Sequence, residues 1–154
     1  MRFSLLSISL VLLLCSCKST KDTVMPNSNS EIIVFGNGGG FSGKVTHYTL
    51  HSNGEFFKGI NKEGKFYTYP KLDEDLVAQI FENYNSLKLS ELELYESGNM
   101  YKFLNVTKNG NEHKLMWGDS GSNPPNELLI YFNNLMAIAR RANKNSNSKP
   151  LPVK

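Results

Sequence analysis

The segment KFLNVTKNGNEHKLMW, residues 102–117, gives the clearest indication of the fold. Asn109-Gly110 at its centre predicts a two-residue β-turn, because both residues tolerate the positive φ angles that such a turn requires. The turn sets the register of four cross-strand pairs: Lys108 with Asn111, Val106 with His113, Leu104 with Leu115, and Lys102 with Trp117. Val106, Leu104, Leu115 and Trp117 then share one face. The stretch therefore predicts an antiparallel hairpin with one apolar side.

Two further strands are predicted near the start of the folded region. Glu31 to Phe35 (EIIVF) is a short β-rich run, and the glycine-rich segment 36–40 is expected to end it. Lys44 to His51 alternates between two faces, as a half-buried strand does. One of these faces carries Val45, His47, Thr49 and His51, and the other carries Thr46, Tyr48 and Leu50.

A second Asn-Gly dipeptide, Asn53-Gly54, predicts another two-residue hairpin turn. Glu55 to Ile60 is then the return strand. Lys65 to Tyr69 (KFYTY) is a further β-rich run, joined through residues 61–64 and stopped by Pro70.

The periodicity changes to that of a helix after Leu72. Asp73 is a predicted N-cap, and acidic residues follow it in the first turn, where the helix dipole favours them. The spacing predicts a helix of about three to four turns with a single apolar stripe. The stripe consists of Leu76, Ile80 and Tyr84, with Val77 and Leu87 beside them.

A second helix is predicted after the hairpin. Asn123 is the expected N-cap and Pro124 the first helical residue, a position where proline's missing N–H costs nothing. Apolar residues recur at helical spacing at Leu128, Phe132, Leu135, Met136 and Ala139. The predicted fold class is therefore α+β, a small antiparallel sheet of about five to six strands with two helices packed on one face.

The N-terminus carries a targeting signal. Met1-Arg2 supplies a positive end, and the apolar run from Phe3 to Leu14 has the length of an export signal and is shorter than the roughly 20 residues that span a bilayer. The tetrad Leu14-Cys15-Ser16-Cys17 resembles the lipobox of bacterial lipoproteins. That resemblance implies that Cys17 becomes the acylated N-terminus and binds the membrane, each buried methylene contributing about 0.8 kcal/mol.

These signals divide the chain into four parts. Residues 1–16 are a lipoprotein signal peptide, 17–30 the lipidated cysteine and a flexible polar tether, 31–142 a single α+β domain, and 143–154 a disordered polar tail. The residues after Cys17 lack the acidic run that resembles a surface-export signal. The expected location is therefore the cell envelope, on the periplasmic side of the outer membrane.

Composition excludes several classes of function. The net charge is +3, and removal of residues 1–16 takes away only the charge of Arg2. The remaining charge of about +2 is too small for a nucleic-acid-binding protein, which needs a concentrated basic surface. No cysteine follows Cys17, so the domain has neither a disulfide nor a thiolate metal ligand.

No catalytic set is found. Gly38 to Val45 matches the letters of the kinase glycine loop, and Gly118 to Ser122 those of a serine-protease nucleophile loop, but the partner residues that either site requires are missing. His47 and His51 lie about 13 Å apart along a strand, too far to bind one ion. The sequence predicts a protein that is not an enzyme and has no cofactor and no metal.

The most distinctive surface candidate is Gly39-Gly40-Phe41-Ser42-Gly43, because Phe41 has few sequence neighbours to bury it. Together with Trp117-Gly118-Asp119 and Pro124 before an apolar helix, this run resembles emfourin-type proteins, small α+β inhibitors of thermolysin-like metalloproteases. The resemblance implies that Gly39, Gly40, Phe41, Ser42 and Gly43 form a projecting loop with Phe41 as its apolar contact. The alternative is that Phe41 folds back over the sheet edge.

Two functions follow from these observations. The first is a membrane-anchored lipoprotein with a non-enzymatic protein-binding domain, including the case of an inhibitor that binds an extracytoplasmic protease. The second is an accessory lipoprotein that binds a small molecule or glycan. A deep pocket lined by tyrosine and histidine favours the second, and a convex surface with an exposed Phe41 favours the first.

Overall fold

A computed structural model describes residues 31–96, 98–118, 121 and 123–145. The predicted leader, Cys17, the predicted tether and the part of the predicted tail from residue 146 lie outside this range. The strands are β1 (Ile32–Gly39), β2 (Lys44–His51), β3 (Phe56–Ile60), β4 (Lys65–Tyr69), β5 (Met100–Lys108) and β6 (Asn111–Gly118), and the helices are α1 (Glu74–Ser86) and α2 (Asn126–Asn145). All strand pairs are antiparallel in one sheet of order β4-β3-β2-β1-β5-β6. The α+β fold class is confirmed.

The β5–β6 hairpin has the register that the sequence predicts. All four pairs, from Lys108 with Asn111 to Lys102 with Trp117, are present. Asn109 and Gly110 have φ angles of 51° and 79°, the positive values that a two-residue turn requires. The four apolar residues of its inner face are buried.

Strand β1 is longer than the sequence suggests. It was expected to end at Phe35, but it continues through Gly39 in the middle of the sheet. Gly36 pairs with His47 of β2 on one side and with Phe103 of β5 on the other. A Cβ atom on Gly36 would overlap the Thr46 carbonyl oxygen, so glycine allows the close approach of β2. The glycine-rich segment is therefore the second half of the central strand.

The turn between β2 and β3 is also different from the prediction. Leu50 pairs with Phe56, and the His51 N–H donates to the Glu55 carbonyl at 3.0 Å, so the connection has three residues instead of two. Gly54 takes the left-handed conformation, with φ of 88°. A two-residue turn would place Phe57 opposite Leu50 and move Phe56 out of the core.

Helix α1 begins as predicted and buries a somewhat different stripe. The Asp73 carboxylate caps the helix by accepting the N–H groups of Asp75 and Leu76 at 3.1 and 3.2 Å. The buried residues are Val77, Ile80, Phe81 and Tyr84. Leu87, which was assigned to the stripe, lies after the last helical residue and is exposed.

Helix α2 begins three residues after its predicted N-cap and ends later than expected. The Pro125 carbonyl accepts the Leu129 N–H at 3.1 Å, so the helix starts after Pro125. Proline disfavours the helical conformation in the residue before it. Because Pro125 follows Pro124, Pro124 does not start the helix. At the other end, the helix includes residues 143–145 of the predicted tail, and the Asn143 Oδ1 accepts the Tyr69 hydroxyl at 2.9 Å.

Both helices cover the same face of the sheet and close one core. Phe35 of β1 stacks on Tyr48 with ring centroids 5.4 Å apart, and it meets Phe132 of α2 edge-on at 6.5 Å. Trp117 packs against the same Phe132 at 5.0 Å, as its predicted core position requires. The Tyr131 hydroxyl joins the two helices by donating to the Ile80 carbonyl at 3.1 Å. The opposite face of the sheet has no helix against it in the described part of the chain.

Candidate functional site

The candidate site is the turn between β1 and β2, residues 40–43, where Phe41 is located. The relative exposure of Phe41 is 110%, the highest of the large apolar residues that the structure describes. The ring therefore projects into solvent and does not fold back over the sheet edge. An apolar ring so exposed contributes nothing to the core and is available to a partner.

Short hydrogen bonds fix the backbone of this turn. The Gly43 N–H donates to the Gly40 carbonyl at 2.9 Å, which closes the turn. The Gly40 N–H donates to the Asn99 carbonyl at 2.7 Å and ties the turn to the residue before β5. The Lys44 N–H donates to the Ser42 hydroxyl at 3.3 Å. Phe41 is thus presented on a fixed loop, which reduces the entropy lost on binding.

Three of the predicted site residues are glycines for a conformational reason. Gly39, Gly40 and Gly43 have φ angles of 102°, 71° and 54°, which residues with a side chain rarely adopt. A Cβ on Gly39 would in addition overlap the Asn99 carbonyl oxygen. The glycines therefore form the turn, and Phe41 is the contact group.

Neighbours from distant parts of the chain complete the site. Met100 is partly exposed, and its sulfur atom lies beside Gly40. Glu63, in the β3–β4 connection, pairs with Lys44 at 2.7 Å and with Lys65 at 3.1 Å. Hydrogen bonds from these two lysines lower the pKa of Glu63. Sequence reasoning missed Met100 and Glu63, because only the register of the sheet brings them close to the turn.

The turn lies at the end of the sheet opposite to the start of the domain. Glu31 precedes β1, and the first pair of β1 joins Ile32 to His51, while the last joins Gly39 to Lys44. Eight residues at about 3.3 Å each separate the two ends by about 26 Å. The Phe41 turn is therefore at the far end of the domain from its attachment to residues 17–30.

A depression of about 240 Å³ lies on the helix-free face of the sheet. It is lined by Tyr95, Tyr101, Phe103, Asn105, Lys114 and Met116. Its volume is below the roughly 300 to 1,000 Å³ that is typical of small-molecule sites. None of the three histidines lines it. Another depression, of about 320 Å³, has the residue types expected for the small-molecule alternative, because Tyr84 and His113 both line it.

The three histidines are in separate environments. His47 and His51 lie on the helix-free face against Phe66 and Phe57, with ring centroids 6.1 and 5.7 Å apart, and burial lowers the pKa of His47. Within the described ranges, no group of three or more His, Cys, Asp or Glu residues is placed to hold a metal ion.

His113 is part of a partly buried hydrogen-bond network. Its Nε2 lies 2.9 Å from the Leu92 carbonyl, which can only accept, so this nitrogen carries the proton in the neutral ring. Its Nδ1 then accepts the Tyr84 hydroxyl at 2.6 Å. The network joins α1, β6 and the segment before β5, so the role of His113 is to connect parts of the fold.

Raising the pH from about 9 to about 11 is expected to lower the free energy of unfolding. Burial raises the pKa of Tyr84 and of Tyr69 to about 12, whereas an unfolded tyrosine titrates near 10. Above pH 10 the unfolded chain therefore releases protons that the folded chain keeps, and stability is lost as the pH rises. Denaturant unfolding at both pH values measures the loss. A Tyr84→Phe variant should lose less unfolding free energy over this pH range. An equal loss would contradict the raised pKa of Tyr84.

The chain matches no protein-family model and no curated protein. The resemblance of residues 39–43 and 117–124 to emfourin-type inhibitors therefore remains a prediction from the sequence. Neither of the two α-helices that the structure describes combines the length and the hydropathy that a membrane span requires.

Proposed function

We propose that this protein is an envelope lipoprotein, anchored through acylated Cys17, whose α+β domain binds a protein partner without catalysing a reaction. The contact group is Phe41, on the turn formed by Gly39, Gly40, Ser42 and Gly43. The observation that carries the proposal is the complete exposure of an aromatic ring on a hydrogen-bonded turn. Aromatic side chains on rigid loops are typical binding hot spots, since they bury a large area and lose little entropy.

The position of the turn supports the same function. The lipid and tether precede Glu31, and the turn lies about 26 Å away at the other end of β1. A domain tethered at Glu31 can thus direct Phe41 away from the membrane and toward a partner in the periplasm. The anchor also restricts the protein to the outer-membrane surface, which raises its local concentration there.

The partner class that we favour is an extracytoplasmic metalloprotease of the thermolysin type. This choice rests on the emfourin-like residues Gly39 to Gly43 and Trp117 to Asp119. In such a complex Phe41 would enter an apolar subsite of the protease, and the rigid glycine turn would resist cleavage because it cannot adjust to the active site.

Replacing Phe41 with alanine is expected to leave the melting temperature within about 2 °C of wild type, because an exposed ring contributes little to stability. The same change should weaken inhibition of a thermolysin-like protease by about 30-fold, the loss of one hot-spot residue. Substrate cleavage at increasing domain concentration measures this effect.

Ile130→Ala is the matched control. Ile130 is another exposed apolar side chain, with 60% exposure, but it lies on α2. This variant should inhibit like wild type. If Phe41→Ala lowers the melting temperature strongly, or if both variants inhibit equally, Phe41 is not the contact group. No inhibition by the wild-type domain would exclude this protease class.

The anchor is tested separately. Cys17→Ser should prevent acylation. It should also leave the leader uncleaved, because the lipoprotein signal peptidase cleaves the chain on the N-terminal side of an acylated cysteine. Mass spectrometry of the wild-type N-terminal peptide should show a diacylglyceryl group and a fatty acid on Cys17. An intact leader, or a mature chain without fatty acid, would contradict the proposal.

A further inference from the structure

The helix-free face of the sheet is unusual for a surface that faces water. In an antiparallel sheet with one solvated face, polar and charged side chains normally occupy the outward positions. Within the six described strands, the only charged residues among these positions are Glu112 and Lys114, which pair at 2.9 Å on the edge strand β6. The others are glycines, apolar and aromatic residues, threonines, one asparagine and two histidines, among them Val34, Val45, Thr49, Phe57, Phe66 and Tyr101.

Depletion of charged residues and enrichment of aromatic residues are typical of the core of a protein interface. Phe66 is exposed and Phe57 and Tyr101 are half-buried, so these three supply the accessible aromatic rings here, whereas Phe103 is already buried within the single chain. The single ion pair lies at one side and is neutral as a whole. A second surface of the same kind can therefore approach without repulsion between like charges.

Two glycines on this face let side-chain rings lie close to the backbone. The His47 ring lies over Gly59, where a Cβ would overlap it, and the Tyr101 ring lies over Gly38, its Cζ only 2.7 Å from the place of a Cβ. The two rings thus lie along the sheet instead of standing on it. Where the rings lie low in this way, another sheet can pack at the usual separation of about 10 Å.

The size of the face also suits a dimer. Six strands at about 4.8 Å spacing and about 17 to 26 Å length give a face of about 600 Å². Two such faces together bury about 1,200 Å², the lower end of the range for stable protein interfaces. The two helices of each copy would remain on the outside.

We infer that the helix-free face is a homodimer interface, on which a second copy of this chain packs sheet against sheet. With the two-fold axis along the strands, both Glu31 residues lie at one end and both Phe41 turns at the other. This orientation also lets two lipid anchors reach one membrane, a point that rests on the proposed acylation of Cys17. The interface itself does not depend on the partner of Phe41.

The test uses residues 18–154 without the predicted leader. All residues of the described buried core lie between Ile33 and Ala139, so this chain contains the whole of it. Light scattering after size exclusion at about 50 μM should give the mass of two chains. Thr49→Lys, which places a charge at the centre of the face, should weaken self-association by about 100-fold because a buried unpaired charge is costly. Gln79→Lys adds the same charge at an exposed position of α1 and should remain a dimer.

Circular dichroism shows whether Thr49→Lys is folded, and Thr68→Lys, at an exposed position of the same face, replaces it if it is not. A monomeric wild-type chain, or a dimer that survives the lysine on this face, would overturn the inference. In the first case the face would belong to a different partner. Because Phe41 is outside the interface, Phe41→Ala should remain a dimer, so the two proposals can fail separately.

Discussion

Replacing Leu104 with alanine is expected to lower the free energy of unfolding by about 3 to 5 kcal/mol. Leu104 is fully buried in β5, between Phe35 of β1 and Leu115 of β6. Truncation of the Leu104 side chain leaves a cavity, and β5 cannot move to fill it because it is paired with β1 and β6. The free-energy cost of the cavity therefore adds to the loss of buried apolar surface. Denaturant unfolding of residues 18–154, followed by circular dichroism, measures the change.

Leu87→Ala is the matched control for this prediction. The chemical change is identical, but Leu87 lies after the end of α1 and is 38% exposed. We expect a loss of less than about 1 kcal/mol. Similar losses for the two variants would mean that Leu87 belongs to the apolar stripe, as the sequence pattern alone suggested.

Replacing Gly36 with alanine is expected to cost more than about 4 kcal/mol and to leave little folded protein. The added Cβ overlaps the Thr46 carbonyl oxygen, a backbone atom of a paired strand that cannot rotate away. Strand β1 is also held by β5 on its other side, so it cannot shift to relieve the overlap. Soluble yield and thermal unfolding measure the effect.

Gly110→Ala is the control that introduces backbone strain without a steric overlap. Gly110 has a positive φ of 79°, but no atom lies within 4 Å of the added Cβ. The expected cost is only about 1 kcal/mol, from the left-handed conformation. A Gly36→Ala protein that melts within a few degrees of wild type would show that β1 does not continue through the glycine segment.

The parts of the fold that local sequence determines could be predicted. The β5–β6 register follows from Asn109-Gly110 and the apolar alternation beside it, and the start of α1 follows from Asp73. Both depend on residues within a few positions of each other. The structure has both the predicted register and the predicted helix start.

The errors occurred where distant contacts decide the structure. Gly36 belongs to a strand because β2 and β5 pair with it, and neither contact is visible in the local sequence. The loop at Gly54 has three residues because the core selects Phe56 over Phe57. A local turn motif cannot reveal that choice, since both residues are apolar and β-prone.

The candidate site was only partly accessible to sequence reasoning. The glycines around Phe41 indicated a surface turn, because they offer no side chains that could bury the ring. Met100 is close to the turn only through the pairing of β1 with β5. The low number of charged residues on the helix-free face could be recognised only after the topology showed which strand residues face away from the helices.

Site-specific photo-crosslinking can show whether Phe41 contacts a protein partner. A benzophenone amino acid is placed at position 41 or, as a control, at exposed position 130 of the full chain in living cells. We expect one discrete protein adduct from position 41 that position 130 does not give. No adduct from position 41, or the same adducts from both positions, would contradict it.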